Sequence, residues 1–177
     1  MDTFEIRPWT GQGDPAPTDI LQAIGMTTSG WELLDSSLGE LFDALVGGRN
    51  SNRAGFGAYR TLAGSDAKAQ LIKGAARPAL AGCSDAGLRG DIEHLLIVLI
   101  DARARRNNIA HGIVMNLGDL GFCLGPNNAM SSRWKGNGSA TYTWVAADIE
   151  AYAKAIGNLR DDVIALTDRV KNALEAG

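Results

Sequence analysis

Cysteine, histidine, net positive charge and long apolar runs are all scarce in this chain. Its 177 residues include two cysteines, Cys83 and Cys123, without the paired spacing of a structural zinc site. That excludes a disulfide-dense secreted scaffold, and two free thiols in a reducing compartment are expected. The best apolar run, Leu95 to Ile100, falls far short of the ~20 residues that a membrane-spanning helix needs. The opening residues Met1 to Glu5 are acidic and lack the apolar core of a secretory signal. A cytoplasmic protein without membrane contact is therefore expected. Formal net charge is −3, so the chain is not globally basic, and nucleic-acid contact would need a local basic patch. No internal repeat, low-complexity tract or persuasive set of metal ligands is present, so neither metal nor cofactor is expected.

What is present suits one helical domain. Apolar residues make up 45% of a chain long enough to bury a core without metals or disulfides. Residues 1–17 hold Pro8, Pro15 and Pro17 and read as an irregular arm. Residues 18–177 read as a single domain. Thr18 is placed to cap a short helix ending near Gly25. Ser29 and Glu32 form a capping-box pattern that starts a second one, with Trp31, Leu34, Leu38, Leu41, Phe42 and Leu45 at helical spacing. Further helices are predicted from about Asp66 to Ala81, from Gly87 to His111 and from about Ala147 to Leu174. Gly112 is expected to end the third of the four main helices as a left-handed cap. Between the last two, at about 113–145, Met115 to Leu117, Phe122 to Leu124 and Thr141 to Trp144 look like short strands. The fold class is thus all-α: an antiparallel four-helix bundle with a small β-hairpin-like insertion.

The chemistry gathers in Arg106-Asn107-Asn108-Ile109-Ala110-His111-Gly112. A cation, an amide and one of only two histidines close the most apolar helix. A helix turns about 100° per residue. With the buried direction set by Ile92, Leu96 and Leu99, Arg103 and Ala110 fall mid-face and Arg106 on one flank. Asn107, His111 and Ile100 fall on the other flank, and Arg105 and His94 point away. Cations on an apolar stripe need carboxylate partners or an opening into a cleft. Imidazole exchanges a proton near neutral pH, which suits acid–base work. A histidine before glycine at a helix end also serves simply to cap carbonyls.

The run from Arg106 to His111 resembles the signature of the HEPN superfamily: an arginine, a polar residue, then a histidine after four to six intervening positions. In that family the motif ends the third helix of a four-helix bundle. The resemblance covers about residues 28–175 as architecture and residues 106–111 as specific sequence. Arg105 also meets the spacing, with five residues intervening, but the projection favours Arg106. The resemblance implies a metal-independent endoribonuclease acting as a homodimer, with Arg106, Asn107 and His111 as catalytic residues and RNA as substrate. It equally implies, for other members, a non-catalytic module binding RNA, nucleotide or a protein partner. Such members include partners of nucleotidyltransferases in toxin–antitoxin pairs, so an antitoxin or nucleotidyltransferase partner is an expectation.

Two further groups are candidates for RNA contact. Arg103 either adds a phosphate contact or pairs with a carboxylate inside the bundle. Arg133, Trp134 and Lys135 interleave charge and aromaticity in a Gly/Asn-rich loop that could grip single-stranded RNA, or be a solvated loop with one packed tryptophan. Asp161-Asp162 reads as a solvated face.

Overall fold

The computed structural model describes residues 4, 7–47, 53–83, 85, 87–127 and 142–176. They are mostly helical, with one small antiparallel hairpin. The helices are α1 (Pro17–Gly47), α2 (Ala54–Thr61), α3 (Ser65–Ala79), α4 (Leu88–His111) and α5 (Ala146–Ala176). Strands β1 (Ile113–Asn116) and β2 (Phe122–Gly125) lie between α4 and α5. No helix among the described residues is long and apolar enough to cross a membrane.

The short helix expected to end near Gly25 and the main helix expected to start at Ser29 are one. Pro17 sits at the first helical position, where its missing N–H and fixed φ do no harm. Buried Ile20, Ala23, Thr27, Trp31, Leu34, Leu38, Leu41 and Leu45 then recur at spacings of three and four without a break. One continuous apolar stripe outweighs the ~1 kcal/mol cost of a mid-helix glycine at Gly25. Thr27 and Thr28 turn their hydroxyls back onto the carbonyls of Ala23 and Ile24, so neither competes with the helix. The stripe predicted for α5, from Ile149 to Val170, is buried throughout.

The chain divides into two compact units, Met1–Trp31 with Asp101–Gly157, and Glu32–Ile100 with Asn158–Gly177. In the second unit, α2 and α3 are anchored to α1 by polar contacts. Tyr59 donates to Asp35 Oδ1 (3.0 Å) and Lys68 pairs with Asp35 Oδ2. Buried Asp43 accepts the N–H of Phe56 (3.1 Å), capping α2 from another helix. Arg53, just before α2, adopts φ 63°, a left-handed conformation that costs roughly 1–2 kcal/mol for a non-glycine residue. Its guanidinium is held by Glu40 at 2.7 Å.

In the first unit the hairpin pairs Ile113 with Gly125 through Asn116 with Phe122. The expected strand ending at Trp144 is a single bridge, Leu124 to Trp144. The N-terminal arm joins the other end of β2: Asp14 and Phe122 exchange both backbone bonds at 2.8 Å. The Asp14 carboxylate also accepts the first N–H of α5, from Ala146, at 2.7 Å. Negative charge there suits the positive end of the helix dipole. Gly121 holds φ 87°, and a Cβ on it would stand 2.6 Å from the Asp14 carbonyl, so this crossing requires glycine. Cys83 and Cys123 are free thiols, and burial raises the pKa of Cys123.

All three tyrosines are buried, and burial raises the pKa of each phenol; Tyr142 is pushed up to about 12. Neighbouring Asp35 raises Tyr59 further. The folded chain holds these protons more tightly than the unfolded chain. The resulting stability is complete below the ordinary tyrosine pKa of ~10 and is lost as pH rises through the folded-state values. On alkaline titration, phenolate absorbance is expected to stay flat through pH ~10 and to rise together with loss of helix. A non-cooperative rise near pH ~10 in the folded protein would contradict this burial.

Candidate functional site

The buried line of α4 is Leu88, Ile92, Leu95, Leu99, Ala102 and Ile109, a repeat of four and three residues. Arg106 occupies the missing place in that repeat. This corrects the projection from sequence: Arg106 stands mid-stripe and Arg103 on the flank. Ile97 and Ile100 are 62% and 57% exposed. Apolar residues lie around more than half of α4, so apolarity alone points the buried face towards Leu96, which is only half-buried.

Four of the predicted site residues lie in the last three turns of α4. Arg106 is half-buried and donates from Nη1 to Oδ1 of Asn107 at 3.2 Å. Its Nε is enclosed, with no acceptor in hydrogen-bond reach among the described residues. Asn107 and Arg103 are half-buried and His111 is exposed at the C-terminus. Arg103, Asn107 and His111 recur every four residues, about 40° apart on the helix, and so share one side. The macrodipole draws cations to this end. The arrangement therefore offers a guanidinium steadied by an amide, and one turn beyond that amide a solvent-reachable imidazole.

The neighbouring arginine is used differently. Arg105 Nε donates to the carbonyl of Phe4 at 2.6 Å, holding the N-terminal arm. Arg7 of the same arm donates its amide to the Tyr152 hydroxyl (3.4 Å) and pairs with Asp148 at 3.7 Å. Of the two arginines that meet the motif spacing, Arg105 is thus occupied by the arm. His94 lies exposed about three turns before the motif. Arg133, Trp134 and Lys135 fall outside the described residues. Among the described residues, no three His, Cys, Asp or Glu side chains gather as a metal set.

The last turn of α4 is held by two residues that the motif does not contain. Tyr142 donates its hydroxyl to the carbonyl of Asn108 at 2.8 Å, satisfying one of the carbonyls left open at the helix end. Nothing local in the sequence marks Tyr142 for this role, because its partner lies 34 residues away. Gly112 is not the left-handed cap expected, since its φ is not positive. It is required for close approach instead: a Cβ there would stand 2.7 Å from Leu124 Cδ1 and 2.9 Å from the Asn108 carbonyl. Gly112→Ala is expected to cost about 1–3 kcal/mol by overpacking. Denaturant unfolding measures it, and a change below about 0.5 kcal/mol would mean that β2 moves aside freely. Comparison of the chain with family models, with curated proteins and with solved structures finds no match.

Proposed function

We propose that this chain is a metal-independent endoribonuclease of the HEPN type, built as an antiparallel four-helix bundle of α1, α3, α4 and α5. One observation carries the reading: a guanidinium fills an apolar heptad position of α4, bonded to the next residue's amide, five residues before an exposed terminal histidine. An apolar side chain would fill that position without a charge to satisfy. Among the described residues, the motif also ends the third of the four helices that are fifteen residues or longer.

In this reading the ribose 2′-hydroxyl attacks the adjacent phosphorus and the 5′-oxygen leaves, giving a 2′,3′-cyclic phosphate and a free 5′-hydroxyl. His111 takes the 2′-hydroxyl proton, and the protonated His111 of a second copy gives one to the leaving oxygen. Arg106 holds the phosphate and offsets charge developing on it, and Asn107 keeps the guanidinium aimed. Arg103 adds a phosphate contact from the same side of α4. A toxin or defence role, with an antitoxin or nucleotidyltransferase as partner, belongs to the same proposal. The test is incubation with mixed-sequence RNA in excess chelator, beside folded His111→Ala and Arg106→Ala proteins. Cleavage by wild type alone supports the reading, and equal behaviour of all three ends it.

The second reading is a binding module without catalysis. The enclosure of Arg106 within the α4 stripe favours it, because a guanidinium held there also serves to fix a surface.

A further inference from the structure

Charge is unevenly spread along the chain. Between residues 53 and 77, Arg53, Arg60, Lys68, Lys73 and Arg77 face one carboxylate, Asp66. That segment carries +4 within a chain of net −3, which leaves −7 on the remainder. Two of its cations are committed internally, Arg53 to Glu40 and Lys68 to Asp35. Arg60, Lys73 and Arg77 are exposed, and no carboxylate pairs with them among the described residues. Elsewhere, exposed arginines meet acids: Arg169 bridges Asp85 and Asp91, and Arg89 pairs with Glu93.

We propose that α2 and α3 carry a phosphate-backbone-binding surface for single-stranded RNA, formed by Arg60, Lys73 and Arg77. Lys73 and Arg77 stand one helical turn apart, where like charges repel. An arrangement that opposes folding is relieved by a bound polyanion. Arg60 lies 5.8 Å from the Phe56 ring, which Arg53 covers more closely at 4.9 Å, and the Arg60 guanidinium is itself exposed, a planar cation of the kind that stacks on bases. The chemistry is that of a phosphate backbone rather than a lipid surface. Between residues 53 and 80 no large apolar side chain is exposed, and an interfacial helix needs one to insert. The same lack removes the apolar anchors on which protein partners dock.

The surface alone specifies a polyanion; its identity as RNA rests on the function proposed above. The experiment therefore measures binding of labelled mixed-sequence RNA to the His111→Ala protein across a salt series, so that cutting plays no part. Replacing Arg60, Lys73 and Arg77 together by glutamine is expected to weaken binding more than tenfold at low salt. The slope of log affinity against log salt should fall by about 2, at ~0.7 per phosphate contact on a single strand. Each single replacement should remove about a third of that. The charge-keeping set Arg60→Lys, Lys73→Arg and Arg77→Lys should preserve the slope. An unchanged slope in the folded triple variant overturns the proposal. So does binding to phosphatidylserine vesicles without binding to RNA. Loss of slope with no cleavage by wild type would leave this surface standing and remove the catalytic reading. Intact His111-dependent cleavage with an unchanged slope would do the reverse.

Discussion

His111→Ala is expected to lower RNA cleavage about 10²–10⁴-fold, the usual contribution of one positioned acid–base group. The size follows from what the imidazole does: without it, neither the 2′-hydroxyl proton nor the 5′-leaving oxygen has a partner, while phosphate contacts remain. His111 gives the cleaner test of the two motif ends because it is exposed, so its removal leaves the α4 packing untouched. Arg106→Ala opens space in a buried stripe and would mix a stability loss with a chemical one. Arg106→Lys separates them: charge persists, but the planar fork that grips phosphate through two bonds is lost. His94→Ala, an exposed change away from the motif, serves as the control and should cleave as wild type does. Unchanged cleavage by His111→Ala would transfer the motif to the binding-module reading.

Trp144→Ala should be the most destabilising single change outside the motif, at about 3–5 kcal/mol. The indole is fully buried, stacked on Tyr142 at 4.2 Å between ring centroids and tilted against Tyr152 at 5.1 Å. Truncation removes a large contact area and leaves a cavity beside the phenol that holds the Asn108 carbonyl. A contrast sharpens the test. Trp144 Nε1 is buried with no acceptor among the described residues, and such a donor costs about 1–3 kcal/mol. Phenylalanine discards that donor while keeping a ring in the stack. Trp144→Phe is therefore expected to stay within about 1.5 kcal/mol of wild type, despite the lost volume. Urea unfolding of the three proteins decides it; equal losses for Ala and Phe would show that volume alone governs the site.

Spacing alone carried the long helices. Trp31 to Leu45 and Ile149 to Val170 recur at three and four, and every predicted position on these stripes is buried. Residues 18–47 failed at the join, where Ser29 and Glu32 imitate a helix start. A capping pattern is local, whereas the stripe that overrides it runs from Ile20 to Leu45. The α4 face failed for the opposite reason. Leu96, Ile97 and Ile100 are apolar without being buried, so composition could not show which side faces the core. Arg105 and Tyr142 find their partners across 101 and 34 residues, and no window along the sequence contains both ends of such a contact. The basic α2–α3 segment was readable by splitting the charge by region. A net charge of −3 averages it away.

Asp14 sets a clock on folding. Its backbone closes onto Phe122 and its carboxylate onto Ala146, so neither contact exists until those residues have been made. At a synthesis rate of about 5–20 residues per second, the arm waits roughly 5–20 s for β2 and longer for the start of α5. Over that interval the segment around Asp14 has backbone groups free to pair with any extended strand nearby. Crowded synthesis, with several copies emerging together, is the condition under which this arm would be exchanged between chains.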